Sequence, residues 1–290
     1  MPWDPGVPRV ERQFSPTAIL LLWGLSMAAP GAAPARADEI SVAMGDHLPP
    51  YIIPEAATGF EVEVFREALA HAGHSMKPIF VPIKRVAMLF AEGKYDVAMM
   101  DSGLDLESSG GLYGEPAAIY DNVFIALADR HLSIKSPDDL RGLSVLCFPG
   151  ALARYPDWLS GVARAGKYRE TNNQTLQALM LQAGEADVVL SDRYVFRYFA
   201  HMLRKKKGRL LSEAAEYSVL TEDPRNYRTI FRDGRIRSDF ESGLRFLKES
   251  GRFSELFSKF VGCVPQDANA SGRFCLGMKW IDDTKPASAR

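Results

Sequence analysis

The sequence predicts an α/β protein with two lobes of similar construction that are joined by two extended segments. Strand and helix patterns alternate along the chain, which favours mostly parallel sheets. The pattern G-x-x-D-V-x-x-x-D occurs at residues 93–101 and again at residues 184–192, 91 residues later. In each copy a glycine ends a helix and two aspartates flank an apolar strand. We therefore expect two related halves.

The composition is that of a folded chain whose partners bind at local sites. The 290 residues are 47% hydrophobic and 24% charged, which excludes collagen, coiled coil and extensive disorder. The formal net charge of -1 gives no general attraction to nucleic acid or to an anionic membrane. The sequence has no zinc-ligand spacing, phosphate-binding loop or serine–histidine–aspartate spacing. We expect no metal, no cofactor and no catalytic set.

The first 37 residues have the organisation of a secretory signal peptide. Arg9 and Arg12 precede an apolar run over residues 18–29, and residues 35–37 read Ala-Arg-Ala, a small-residue cleavage signal. The run is shorter than the roughly 20 residues of a membrane-spanning helix. We expect export and cleavage after Ala37. A retained amphipathic anchor is the alternative.

The first lobe is expected to contain three strands separated by two helices. Thr58 and Glu61 have the spacing of a capping box at the start of the first helix, and Gly73 ends that helix. The strands are expected at residues 40–44, 79–83 and 97–100, and the second helix at residues 86–91.

The second lobe repeats this outline after an extended crossing at residues 119–128. A strand is expected at residues 143–148, followed by a Pro149-Gly150 turn and by a helix that Gly184 ends. A second extended stretch at residues 227–231 returns the chain to the first lobe, where helices are expected at residues 238–249 and 253–260.

These crossings define the expected domains. Lobe 1 comprises residues 38–124 and 227–290, and lobe 2 comprises residues 125–226. Two crossings form a two-strand hinge, which permits closure around a ligand.

Asp101 and Asp192 are candidate ligand-binding residues because each follows a strand of the repeated pattern. Open α/β sheets bind ligands beyond the carboxyl ends of their strands. Two lobes that face each other would bring both aspartates to one cleft. The alternative is that each aspartate caps a turn or the following helix.

Five segments, in their order and spacing, resemble the periplasmic solute-binding proteins of family 3, the amino-acid-type receptors of ABC importers. They are residues 59–64, 92–96, 140–145, 182–187 and 247–253. The resemblance extends from about residue 39 to residue 262. It implies a type II periplasmic binding protein fold. It also implies a periplasmic monomer that closes over a small polar solute and delivers it to an inner-membrane permease.

One departure from this family concerns the ligand. Its amino-acid receptors resemble one another in an arginine shortly after the third strand, which clamps the α-carboxylate bidentately. Residues 102–116 contain no arginine here, so an ordinary α-amino acid is disfavoured. Arg85 is the nearest substitute, with a solvated surface charge as its alternative role.

The remaining candidates come from turns and strand ends. Tyr51 and Tyr120 are candidate aromatic walls or core residues. The Gly150 turn leads to a helix whose free amides can receive an anionic group. The candidate ligand-binding set is His47, Tyr51, Arg85, Asp101, Ser102, Tyr120, Phe148, Gly150, Asn172 and Asp192.

The expected export to an oxidising compartment determines how the cysteines are interpreted. Cys263 and Cys275 lie 12 residues apart, and in an oxidising compartment we expect them to form a disulfide. Cys147 lies in an apolar run and is expected to be a buried core residue.

Three functions are compatible with these features. The first is a solute receptor for an ABC importer. The second is an accessory or sensory binding protein that acts on a protein partner, and the acidic cluster Asp101, Asp105 and Glu107 suits that role or a cationic or polyol-like ligand. The third is a dehydratase-like enzyme on the same scaffold.

Overall fold

The computed structural model describes residues 37–207 and 212–261, where the chain forms two five-stranded sheets with helices packed against them. The expected signal peptide lies outside these residues except for Ala37. The strands are β1 (Glu39–Gly45), β2 (Ser75–Val81), β3 (Val97–Ala98), β4 (Leu112–Tyr113), β5 (Asn122–Leu127), β6 (Val145–Cys147), β7 (Tyr168–Glu170), β8 (Val188–Asp192), β9 (Ala214–Tyr217) and β10 (Ile230–Phe231). The helices are α1 (Phe60–His71), α2 (Ile83–Ala91), α3 (Ala151–Arg154), α4 (Pro156–Arg164), α5 (Gln174–Gln182), α6 (Arg193–Lys207), α7 (Gly234–Glu249) and α8 (Arg252–Phe260).

The two sheets share one plan. Sheet 1 has the order β2-β1-β3-β10-β4, and sheet 2 has the order β7-β6-β8-β5-β9. In sheet 1, β1 pairs in parallel with β2 and β3, and β10 pairs antiparallel with β3. In sheet 2, β6 pairs in parallel with β7 and β8, and β5 pairs antiparallel with β8. All of β5 belongs to sheet 2, so the chain has entered that sheet by Asn122. The two-lobed α/β construction predicted from the sequence is confirmed.

A pair of equivalent hydrogen-bonded contacts accompanies the repeated sequence pattern. Asp96 accepts hydrogen bonds from the amide and the hydroxyl of Ser41, at 2.9 and 2.5 Å, and its own amide donates to the Ser41 hydroxyl at 3.0 Å. Asp187 makes the same three bonds to Ser144, at 2.9, 2.8 and 3.0 Å. We call these contacts serine–aspartate clamps. The first joins β1 to the start of β3, and the second joins the start of β6 to the start of β8. The first aspartate of each pattern therefore has a structural role.

The second strand and second helix begin earlier than the apolar pattern predicts. β2 pairs with β1 over seven positions, from Glu39 opposite Ser75 to Gly45 opposite Val81. Its first half contains Ser75 and Lys77, so the expectation of a strand at residues 79–83 recognised only the apolar end. Pro82 ends the strand because it has no backbone N–H to donate to a neighbouring strand. It is the residue directly before α2, where its fixed φ angle is tolerated.

The predicted capping box at Thr58 and Glu61 is wrong. Gly59 is the residue before α1, with a φ of 132°, and a Cβ there would lie 2.2 Å from the carbonyl oxygen of Tyr51. Glycine is therefore required at this position. The Thr58 hydroxyl donates to Glu63 instead, at 2.5 Å, and Glu61 turns into the protein.

Helices α1 and α7 pack at very short range on lobe 1. A Cβ on Gly243 of α7 would lie 2.0 Å from the carbonyl oxygen of Ala68 on α1. The neighbouring Phe65 and Phe240 stack with ring centroids 5.0 Å apart. Glycine at residue 243 thus permits the helix contact that covers one face of sheet 1.

Helix α6 packs against both lobes. It follows sheet 2, and Phe196 is buried in a core cluster of lobe 2. Val195 is buried in the lobe 1 core, and Phe199 packs against the same cluster. The ring of Tyr194 meets Phe257 of α8 edge-on, with centroids 5.6 Å apart. In the described part of the chain, no helix has the length and apolar character needed to cross a membrane.

Candidate functional site

Asp192 lies at the carboxyl end of β8 and is the centre of the contact between the lobes. It is 6% exposed. Its Oδ1 accepts hydrogen bonds from the amides of Tyr194 and Val195, both at 2.9 Å, so the carboxylate caps the start of α6. Its Oδ2 accepts from the amide of Asp121 at 2.7 Å and from the hydroxyl of Tyr51 at 3.1 Å. Each carboxylate oxygen of Asp192 therefore accepts two hydrogen bonds.

Tyr51 brings lobe 1 to this carboxylate. It lies in the loop after β1 and is 1% exposed. Its hydroxyl donates to Asp192, which belongs to lobe 2, and its ring lies 4.5 Å from the ring of Tyr120 in the first crossing. The Tyr51–Asp192 hydrogen bond is thus a direct side-chain bond between the lobes.

Tyr120 connects this contact to a second buried carboxyl group. Its hydroxyl donates to Oε2 of Glu61 at 2.7 Å, and Glu61 is 2% exposed on the buried face of α1. Burial of a charge is costly unless partners compensate for the lost water. Tyr120 offers Glu61 a hydrogen bond but no positive charge.

Burial makes both carboxyl groups weak acids. Loss of solvent raises the pKa of Asp192 to about 7, although the amide and Tyr51 donors act in the opposite direction. Burial raises the pKa of Glu61 to about 8, and the bond from Tyr120 opposes this rise. Burial and the neighbouring carboxylates raise the pKa of Tyr51 and of Tyr120 well above the usual value. A cation brought to either carboxyl would favour its ionised form.

A second polar cluster ties the two crossings together. Asn122, at the start of β5, donates to Glu222 at 3.1 Å, to Tyr155 at 3.0 Å and to Tyr227 at 2.9 Å. The hydroxyls of Tyr155 and Tyr227 each donate to Glu222 at 2.5 Å. Tyr227 also lies 5.5 Å from Tyr120, ring to ring. The cluster therefore continues the interlobe contact along the hinge.

Arg154 closes this second cluster on the lobe 2 side. Its Nη1 donates to the Tyr227 hydroxyl at 3.0 Å, and its guanidinium lies 4.9 Å from the Tyr227 ring and 5.8 Å from the Phe148 ring. A positive charge beside two rings is a favourable arrangement. Phe148 is half-buried at the end of β6.

Three of the sequence-predicted residues meet: Tyr51, Tyr120 and Asp192. The other lobe 1 candidates lie elsewhere. Asp101 closes its own turn by accepting from the Gly103 amide at 2.9 Å and accepts from the Tyr113 hydroxyl at 3.1 Å. Ser102 is exposed and donates to the carbonyl of Ile83 at 3.3 Å.

His47 and Arg85 are exposed. His47 faces Glu55 at 3.7 Å, and Arg85 lies in the first turn of α2. Within residues 37–207 and 212–261, no hydrogen bond or ion pair joins either residue to Tyr51 or Asp192. Arg85 has the position of a surface charge in this conformation.

The structure contradicts the expectation of free amides after Gly150. The Gly150 amide donates to Glu170 at 3.0 Å, the Ala151 amide to the carbonyl of Phe148 at 3.3 Å and the Leu152 amide to Tyr168 at 3.1 Å. Helix α3 has only four residues. Side chains from β7 therefore occupy the donors that an anion would need. Asn172 is exposed, and its neighbour Asn173 caps α5 by accepting from the Leu176 amide at 3.0 Å.

Sequence reasoning missed Glu61, Asn122, Arg154, Tyr155, Glu222 and Tyr227. Glu61 had a signal: it precedes Phe65 by four residues and so lies on the apolar face of α1. A carboxyl group on such a face is a candidate functional residue. Glu222 and Asn122 lie 100 residues apart and gave no local signal.

Cys147 is buried, and loss of solvent raises the pKa of its thiol, so it is a core residue as expected. The expected disulfide between Cys263 and Cys275 lies outside the described residues. Residues 37–207 and 212–261 contain no group of three or more acidic, histidine or cysteine side chains placed to hold a metal ion.

No protein-family model and none of the curated proteins matches this sequence. Solved structures do match. GshT of Streptococcus mutans, which imports glutathione with the cystine ABC importer TcyBC, is 17% identical with a TM-score of 0.62, over 78% of this chain and 96% of that one. A histidine kinase sensor domain with similarity to periplasmic binding proteins is 20% identical with a TM-score of 0.59, over 77% and 96% of the chains.

A third similar structure is AncCDT-1, an ancestral amino-acid-binding protein described as a precursor of cyclohexadienyl dehydratase. It is 16% identical with a TM-score of 0.57, over 77% of this chain and 95% of that one. The chain has the bilobal fold of the periplasmic binding proteins. At these identities the similarity concerns the fold, since binding and catalysis depend on individual side chains.

Proposed function

We propose that the chain is a solute-binding protein that captures a small polar solute between its lobes and delivers it to an ABC importer. The bond between Tyr51 and Asp192 carries this proposal, because it joins the lobes through a buried carboxylate and a hydroxyl. Such a bond can be exchanged for one to a ligand. The proposed cycle is opening of the lobes, entry of the solute and closure around it.

The solute group expected at Asp192 is a hydrogen-bond donor, preferably a cation. Tyr51 donates the bond that a ligand would replace, and an ammonium group would add a charge that favours the ionised carboxylate. The rings of Tyr51 and Tyr120 would form an apolar wall beside it. Because residues 102–116 have no arginine and Arg85 is exposed, an amine or polyol suits the site better than an ordinary α-amino acid.

The location and partner belong to the same proposal. The signal-like residues 1–37 support export to the periplasm, where a disulfide between Cys263 and Cys275 would form. The partner would be an inner-membrane permease, and the receptor would act as a monomer. The similarity to GshT supports the choice of an importer.

A sensory role is the second candidate, and the similarity to a histidine kinase sensor domain favours it. In that case a protein partner would recognise the closed conformation, and the solute would bind at the same site. An enzymatic role finds support in the buried Glu61 and Asp192, whose pKa values of about 8 and 7 suit proton transfer, and in the similarity to a dehydratase precursor. Turnover of a bound solute would identify this third role.

A thermal-shift and calorimetric screen tests the proposal with amines, polyols, amino acids, organic acids and sugars. A solute at about 100 times its Kd should stabilise the protein by about 2.7 kcal/mol. Asp192→Asn should weaken binding of an amine at least about tenfold, because one charge-assisted bond is lost. The control is Asp138→Asn, which removes an exposed carboxylate of lobe 2.

Two results would contradict the proposal. One is the absence of binding across the whole panel. The other is equal affinity of the Asp192→Asn and Asp138→Asn variants, which would place the solute elsewhere. Binding of a carboxylate instead would implicate Arg85. The affinities of Arg85→Gln and Asp138→Asn would then be compared in the same way.

A further inference from the structure

Lobe 1 has a depression at the edge of its sheet. An open depression of about 520 Å³ lies beside β4, the outermost strand of sheet 1. Arg228, Arg237 and Tyr113 line it, together with the turn at Gly110 and with Glu107 at its rim. Its volume is within the range of small-ligand pockets.

Both arginines converge on Tyr113. The Arg228 guanidinium lies 4.0 Å from the centroid of the Tyr113 ring, which covers one of its faces. Nη1 of Arg237 approaches the carbonyl oxygen of Tyr113 at 3.4 Å. Two positive, planar donor groups therefore contact Tyr113 and line the same depression.

Neither guanidinium is neutralised by the protein. Within the described residues Arg228 and Arg237 form no ion pair, and the Nε atom of each is buried without an acceptor. Two other arginines of lobe 1 have carboxylate partners: Arg235 pairs with Asp38 at 2.5 Å, and Arg252 pairs with Glu67 at 2.8 Å. Because neither Arg228 nor Arg237 has an ion-pair partner in the described part of the chain, the lining of the depression carries two positive charges that an anion could compensate.

The nearby carboxylates have other partners. Asp223, which interacts electrostatically with Arg228, forms its ion pair with Arg225. Asp101 accepts from the Tyr113 hydroxyl at 3.1 Å and from the Gly103 amide. Glu241 accepts from the Glu115 amide at 3.3 Å. Glu107 is exposed at the rim, and within the described residues it forms no ion pair with either arginine.

We propose that this depression binds a small oxyanion, a phosphate or carboxylate group of a soluble molecule, between Arg228 and Arg237. The planar guanidinium fork matches such groups bidentately, which a single ammonium cannot do. The open shape beside the sheet edge suits a small molecule. The site is independent of the solute site at Asp192, since no bond connects the two sets of residues in the described part of the chain.

The experiment is titration calorimetry of the purified protein with inorganic phosphate and with citrate, in chloride buffer of matched ionic strength. We expect one site. Arg228→Gln and Arg237→Gln should each weaken binding at least about tenfold, because each removes charge-assisted bonds. Arg141→Gln is the control, because Arg141 is 79% exposed on lobe 2 and should leave affinity unchanged. Asp192→Asn should also leave affinity unchanged, which separates this site from the solute site.

Folding is followed by the melting temperature of each variant in chloride alone. If Arg228→Gln unfolds because the contact with Tyr113 is lost, Arg237→Gln and Arg228→Lys test the same site, and Arg228→Lys should still weaken binding because it keeps the charge but loses the fork. Glu107→Gln should strengthen binding by removing a negative charge at the rim. Absence of binding to the native protein would overturn the proposal. So would unchanged affinity in the Arg228→Gln and Arg237→Gln variants.

Discussion

Replacement of Glu61 by glutamine should change how stability depends on pH. Glu61 is 2% exposed, and burial raises the pKa of its carboxyl group from 4.5 to about 8. The folded protein therefore keeps this proton up to about pH 8, while the unfolded chain releases it above about pH 4.5. The contribution of the protonated group to the free energy of unfolding is complete below about pH 4.5 and is lost as the pH rises through about 8.

The magnitude follows from the two pKa values. One pKa unit corresponds to about 1.4 kcal/mol. Between pH 5 and pH 9 the free energy of unfolding should fall by about 4 kcal/mol through Glu61 alone. Asp192, with its pKa raised to about 7, adds a fall in the same direction. In Glu61→Gln the first contribution disappears and the second remains, because glutamine does not ionise and can still accept from Tyr120.

Urea unfolding of the native protein and the variant at several pH values between 5 and 9 measures this difference. The variant should gain about 4 kcal/mol relative to the native protein across that range. Glu249→Gln, at the exposed end of α7, is the matched control and should run parallel to the native protein. Parallel curves for Glu61→Gln and the native protein would refute the assignment of a protonated, buried Glu61.

Three further results are expected from stability measurements. Tyr51→Phe should lower the free energy of unfolding by about 2 kcal/mol at pH 9. The loss should be smaller at pH 5, because Asp192 is then protonated and accepts a weaker hydrogen bond. An equal loss at pH 5 and pH 9 would contradict an ionised Asp192 at pH 9. Gly243→Ala should prevent stable folding, because its Cβ would overlap the α1 backbone, whereas Gly161→Ala, with open space around it, should stabilise α4 by up to about 1 kcal/mol. Comparable melting temperatures for these two variants would rule out the close helix contact. Ser144→Ala should cost about 1 to 3 kcal/mol in urea unfolding, because its aspartate partner in lobe 2 loses a donor, and an unchanged midpoint would show that the clamp carries little stability.

The fold was predictable where the sequence has a periodic or repeated signal. β1, β6 and β8 are buried apolar runs, and the repeated pattern located the end of β8 at Asp192. β4 and β10 contain two residues each, too few for a period of two to be recognised. These short strands form because an existing sheet edge offers them hydrogen-bond partners, which is a tertiary effect.

The site was predictable only in part, for the same reason. The strand-end rule found Asp192 and the loop residue Tyr51, which meet although they are 141 residues apart. It failed at Gly150, because the amide there is taken by Glu170 of a neighbouring strand. The capping-box spacing gave Glu61 a local role, whereas its partner is Tyr120, 59 residues away. Side-chain partners at such distances follow from the packed structure.

The two serine–aspartate clamps lie at or near the beginnings of parallel strands, whereas Asp192 is the last residue of β8 and Tyr51 follows the end of β1. The clamps and the residues of the proposed solute site are thus at opposite ends of the parallel strands. Substitutions in the proposed site can accumulate at one end without loosening the clamps at the other. This separation would let the proposed site be rebuilt for other solutes while the scaffold is preserved.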